Sequence, residues 1–136
     1  MVNELTKTLI LERQGLEKLM ELLKKQHDFI MEKNVFQLEA IVDDIEVCNK
    51  KFDHLDLERR KILGNTNIKE FVNTSGDDEL KKEFAEIKKI VQLAKFQKDT
   101  NEVLIKQQMS FNARIISLIN PNRETNTYNS YGALRR

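Results

Sequence analysis

Few side chains in this sequence can do chemistry: two histidines, His27 and His54, and one cysteine, Cys48. A metal site on helices would need a carboxylate three residues before each imidazole, as in Glu-x-x-His. Those positions hold Lys24 and Lys51 instead. His54 and Glu58 do form an i,i+4 pair beside Asp53 and Asp56, but mixed charge of this kind reads as a solvated helix face. His27 lies at the edge of an apolar stripe and reads as a boundary residue. Cys48 occupies a core-spaced position, where a thiol acts as a small apolar side chain and not as a nucleophile. Being single, it forms no intramolecular disulfide, which agrees with a reducing compartment. The glycines, at 15, 64, 76 and 132, make no phosphate loop, and no Ser, His and Asp set has local motif support. Neither catalysis nor a metal or cofactor is expected.

Charge points the same way. The 136 residues carry 23 basic and 22 acidic side chains, a net charge of +1, with the signs interspersed. Pairs such as Lys24-Lys25 and Lys88-Lys89 are balanced by neighbouring acids, so there is no one-sided footprint for nucleic acid or an anionic membrane. Nearly a third of the residues are Leu, Ile, Val or Phe, well above the roughly 20% typical of disordered chains. A core is expected, in one small domain with a tail. No apolar run approaches the roughly 18 residues of a spanning helix. Met1 to Arg13 carries Glu4 and Glu12 without a cleavable apolar core, so a cytoplasmic protein is expected.

The elements that position these residues are long helices, because only four Gly and one Pro interrupt the chain. From about 2 to 32, Leu5, Leu9, Leu16, Leu19, Leu23 and Ile30 recur at helical spacing, with Glu12 and Gln26 in the gaps. Gly15 inside this stripe reads as a tolerated weakness more than as a close helix approach. Asn34 followed by Gln37 marks an N-cap, and a second stripe over 34–63 runs Leu38, Ile41, Ile45, Cys48, Phe52, Leu55 and Ile62, interrupted by Arg59. Gly64 stops it. Residues 65–76 form a linker in which Ile68, Phe71 and Val72 fit a short helical turn. Candidate caps Ser75, Asp77 and Asp78 open a third helix over 77–119, which ends at Asn120-Pro121. The Asn- and Thr-rich remainder, 120–136, reads as a flexible tail. The expected fold is therefore all-α: an elongated antiparallel three-helix bundle or coiled coil with a long third helix.

The helix lengths do not match. The first two, about 30 residues each, span about 45 Å, whereas the third spans about 63 Å at 1.5 Å per residue. If the third helix returns alongside the first, residues 109–119 project beyond the turn at 33–35. Between Gln107 and Asn122 the only charge is Arg114, and the segment carries Met109, Phe111, Ile115, Ile116, Leu118 and Ile119. Such a surface implies a partner helix, a second copy of the chain or a folded-back tail. In the alternative, the third helix bends or packs on 65–76, and Phe111 and Ile115 are ordinary core.

Three long helices, an uncharged apolar end to the third (Leu118-Ile119-Asn120) and the tail Thr127-Tyr128-Asn129-Ser130-Tyr131-Gly132 resemble the FlgN family of flagellar export chaperones. The resemblance implies a cytosolic, non-enzymatic chaperone that binds hook-associated (hook–filament junction) proteins and delivers them to the type III export gate. It implies that Leu104, Ile105, Gln108, Phe111, Ile115, Leu118 and Ile119 take up an amphipathic helix from the cargo's C-terminal region, with Gln108 open to hydrogen bonding. It further implies that an aromatic tail residue, Tyr128 or Tyr131, touches the cytoplasmic part of the gate. Tyr131 directly before Gly132 and the basic Arg135-Arg136 end depart from the family pattern and leave the choice of tyrosine open. The chaperone would be a monomer or weak dimer. The competing expectation is a homo-oligomeric coiled-coil scaffold or adaptor in which the third helix pairs with itself.

Overall fold

The computed structural model describes residues 1–119 and two short strands, 127–128 and 134–135. Four helices follow one another: α1 (Val2–Met31), α2 (Val35–Leu63), α3 (Ile68–Thr74) and α4 (Asp78–Ile119). The strands β1 (Thr127–Tyr128) and β2 (Leu134–Arg135) pair antiparallel, Thr127 opposite Arg135 and Tyr128 opposite Leu134. Apart from that two-residue pairing, every element described is helical.

Local chemistry explains each boundary. At the end of α1, Lys33 adopts φ +57°, its N–H reaches the Ile30 carbonyl and the Asn34 N–H reaches the Phe29 carbonyl, 3.1 and 2.9 Å away. These are the two bonds of a Schellman ending, here with lysine at the left-handed position that glycine favours. Asn34 then caps α2, its side chain accepting from the Gln37 N–H at 3.2 Å. Gly64 ends α2 at φ +58° and ψ −122°, a conformation open mainly to glycine. Asn67 caps α3 by accepting from the Glu70 N–H, and Asp77 caps α4 by accepting from the Leu80 N–H at 2.9 Å. The linker thus holds a fourth helix of seven residues, whose Val72 is buried in the core.

Helix α1 is the centre of the fold. It packs along both α2 and α4, whose own backbones hardly approach each other, so the long helices do not close into a bundle. The α1–α2 pair is antiparallel, with Arg59 reaching Glu12 and the Cys48 thiol donating to the Gly15 carbonyl. The α1–α4 pair is parallel, with Arg13 bound to Glu83 at one end and Gln108 to Ile30 at the other. The main core joins Leu5, Leu9 and Leu16 of α1 to Leu63, Val72, Leu80 and Ile87. A smaller cluster, Leu22, Ile41 and Cys48, joins α1 to α2 alone.

Two polar interruptions of the apolar stripes face each other. Glu12 is fully buried, and its Oε2 accepts from the Arg59 guanidinium, which also binds Asp56. Among the described residues Glu12 Oε1 has no hydrogen-bond partner. Burial outweighs the attraction of Arg59 and lifts the Glu12 pKa to about 6 from 4.5, with Asp56 adding to the rise. The Gly15 position is open, since an added Cβ would meet nothing within 4 Å. This fits a tolerated glycine and not a close helix approach.

Candidate partner-binding site

Amide hydrogen bonds tie the upper half of α4 to α1, beside the buried Leu23 and Ile30. Asn101, 1% exposed, donates from Nδ2 to the Leu23 carbonyl and to Gln26 Oε1, both at 2.9 Å, and accepts from Gln97 at 3.0 Å. The blurring of the apolar stripe between Gln97 and Asn101 is therefore a polar contact strip facing α1. Gln108 completes it by donating from Nε2 to the Ile30 carbonyl at 2.7 Å. This bond occupies the last turn of α1 and defines where α4 leaves its support.

Beyond Gln108, eleven residues of α4 continue, about 16 Å of helix. Met109 is half-buried, but the apolar side chains beyond it are exposed: Phe111 by 57%, Ile115 by 39%, Leu118 and Ile119 by 78% each. Ile116 is exposed as well. Nothing from the 65–76 connection covers them, because α3 lies against the opposite end of α4, beside Leu80. The reading of Phe111 and Ile115 as ordinary core is thereby overturned. Of the expected contact residues, Leu104 and Ile105 are half-buried at the root of the overhang, and Phe111, Ile115, Leu118 and Ile119 line it. Gln108, expected to be open to a partner, has its amide nitrogen committed to α1. The side chains of Tyr128 and Tyr131 lie outside the described residues.

The chain reaches the same end of the molecule through three residues that the stripe analysis passed over. Met31, Val35 and Phe36 flank the α1–α2 turn and are 60%, 64% and 81% exposed. The Gln108–Ile30 bond sets this turn at the foot of the overhang. Their signal in the sequence was their failure to fit either stripe while remaining large and apolar.

Further depressions flank α1. One, between α2 and α4, measures about 410 Å³, with Leu16, Leu19 and Leu23 of α1 at its base. Another, on the outer side of α1 and α2, holds Gly15, Val47 and Cys48. Burial pushes the Cys48 thiol pKa up, which keeps the sulfur protonated and unreactive. His54 is exposed and Asp56 is engaged by Arg59 and Arg60. Among the described residues no three metal-ligating side chains converge.

The whole chain, residues 1–136, matches the sequence model of the family described as FlgN protein. It belongs to the FlgN family. That family is one of flagellar export chaperones, so the exposed helix belongs to a protein built to bind export substrates. No curated protein and no solved structure gives a significant match. No described helix of this FlgN-family chain is long and apolar enough to cross a membrane.

Proposed function

We propose that this FlgN-family protein is a cytoplasmic chaperone that takes up the amphipathic C-terminal helix of hook–filament junction proteins, keeps them soluble and delivers them to the type III export gate. The observation that carries the reading is the α4 overhang, an apolar helix end that is exposed among the described residues. Helix-in-groove burial supplies the mechanism: cargo residues at i, i+3, i+4 and i+7 meet Leu104, Ile105, Phe111, Ile115 and Leu118, with Ile119 at the tip. Gln108 then acts as the brace that holds the overhang at a fixed angle to α1. Tyr128 or Tyr131 supplies the gate contact, an aromatic surface with few rotors and modest affinity, which suits release.

The test is calorimetric and NMR titration of the full chain with a peptide from the C-terminal region of a hook-associated protein of the same organism. Saturable binding with shifts over 104–119 is expected. Phe111→Asp with Ile115→Asp should abolish binding while the melting curve stays in place, and unchanged binding by that folded variant would sink the reading. Tyr128→Ala and Tyr131→Ala should leave cargo binding intact while one of them weakens capture by the cytoplasmic part of the export gate. A tight dimer at every concentration, combined with no peptide binding, would favour the coiled-coil scaffold instead.

A further inference from the structure

The overhang and the two strands that follow it in the chain each lack what the other supplies. Phe111, Ile115, Ile116, Leu118 and Ile119 stand exposed along about 16 Å of helix, an apolar patch of the kind that marks an interaction surface. The β1–β2 pairing joins only two residues to two. A ribbon that short does not hold in water by itself and needs a further strand or an apolar surface to pack on. Its two pairs differ in character: Tyr128 with Leu134 is apolar, Thr127 with Arg135 is polar. Successive pairs of a ladder belong to opposite faces, so one face of the ribbon suits a helix and the other suits water.

Connectivity brings the two together. Only residues 120–126 separate Ile119 from β1, and seven residues reach at most about 23 Å, enough to set the ribbon anywhere along the overhang. Asn120-Pro121 disfavours further helix, which lets the chain turn back. We propose that the β1–β2 ribbon folds back onto the overhang, its Tyr128–Leu134 face against Phe111, Ile115 and Leu118, and covers that surface until cargo displaces it. The displacement rests on the chaperone reading above; the cover does not. At the two-residue period of an extended chain, Glu124 falls on the same side as Tyr128, within reach of Arg114, while Arg123 falls on the outer side. Arg136, on the inner side at the ribbon's end, has the length to reach water. A second copy fits this surface less well. Two overhangs that overlap fully, parallel or antiparallel, set Arg114 against Arg114, with no acid between Gln107 and Ile119 to offset them. The short tether also presents the ribbon at an effective concentration of millimolar order, far above that of a second copy in dilute solution.

The experiment compares the full chain with its Tyr128→Ser/Leu134→Ser variant, by NMR without cargo and then by titration with the same C-terminal cargo peptide. Neither residue belongs to the helical core, so the variant should melt like the parent. The expected result is nuclear Overhauser contacts from the Tyr128 ring to the Ile115 and Leu118 side chains in the parent, and shifts over 111–119 on substitution. Cargo binding stays intact and tightens about tenfold, the factor for a surface covered about nine-tenths of the time. Unchanged overhang resonances and no Tyr128 contacts would overturn the cover and leave the chaperone reading standing. Tyr128 contacts that persist in the peptide-saturated parent would overturn the displacement. Overhang shifts that grow with protein concentration and survive in the variant would assign the surface to a second copy and overturn the proposal. Contacts in the parent, with no peptide binding by either protein, would uphold the cover and sink the chaperone reading alone.

Discussion

The two ends of the molecule are built on opposite principles. Around Leu5, Leu9, Val72 and Leu80 four helices contribute to one core, in which these side chains are fully or almost fully buried. Arg13 and Glu83 clamp that end at 2.6 Å. At the other end α4 meets α1 through Asn101 and Gln108, then runs on with its apolar residues in solvent. The closed half thus carries the larger core, and the open half the exposed apolar surface. The proposed cargo site needs this separation, because a site that had already buried its own apolar face would have nothing to offer a partner.

Mutation can break the contrast directly. Leu80→Ala, at the closed end, should cost about 3 kcal/mol in urea unfolding, through lost burial and the cavity left behind. Phe111→Asp/Ile115→Asp at the open end should stay within about 0.5 kcal/mol of the parent while abolishing cargo capture. If the open-end variant lost as much stability as Leu80→Ala, the contrast would be false.

The next effect is electrostatic. The native state holds the Glu12 proton up to about pH 6, while the unfolded chain releases it near 4.5. This group therefore favours folding most below pH 4.5, and its contribution falls by about 2 kcal/mol as pH rises through 6. Glu12→Gln removes the buried charge while Arg59 keeps Asp56. The variant should be more stable than the parent at pH 7.5 and lose that part of the pH dependence, as read from unfolding midpoints at pH 5 and 7.5. Smaller gains sharpen the picture of the α1 backbone. Gly15→Ala should stabilise by about 1 kcal/mol, since the helix gains propensity and the Cβ meets open space. Lys33→Gly should add about 0.5 kcal/mol by relieving the left-handed residue, less the extra freedom of glycine in the unfolded chain, visible as a small rise in Tm.

The local features were largely legible. Asn34 with Gln37 and Gly64 each state a helix boundary in their own chemistry, and Asp77 is one of three candidate caps that the sequence left open, because caps and positive φ depend on neighbours a few residues away. The overhang followed from lengths alone, at a constant rise per residue. Pairings across helices were less legible. Glu12 and Arg59 read separately as breaks in two stripes, and only their meeting shows a buried ion pair. Asn101 read as a blur, yet it is nearly inaccessible to solvent. Met31, Val35 and Phe36 were passed over because a turn can turn apolar residues inward or outward with the same spacing.

From its sequence the chain's helical class, its helix boundaries, the excess length of α4 and its uncharged apolar end are determined, all consequences of short-range backbone chemistry and counting. The tertiary structure alone decided that α1 takes the centre, that α2 and α4 stand apart over it, and that amides as well as leucines join α4 to α1. The physical reason is that one apolar stripe can be buried against several partners at similar gain. The choice among them rests on buried polar groups such as Glu12 and Asn101, which require a partner at hydrogen-bonding distance.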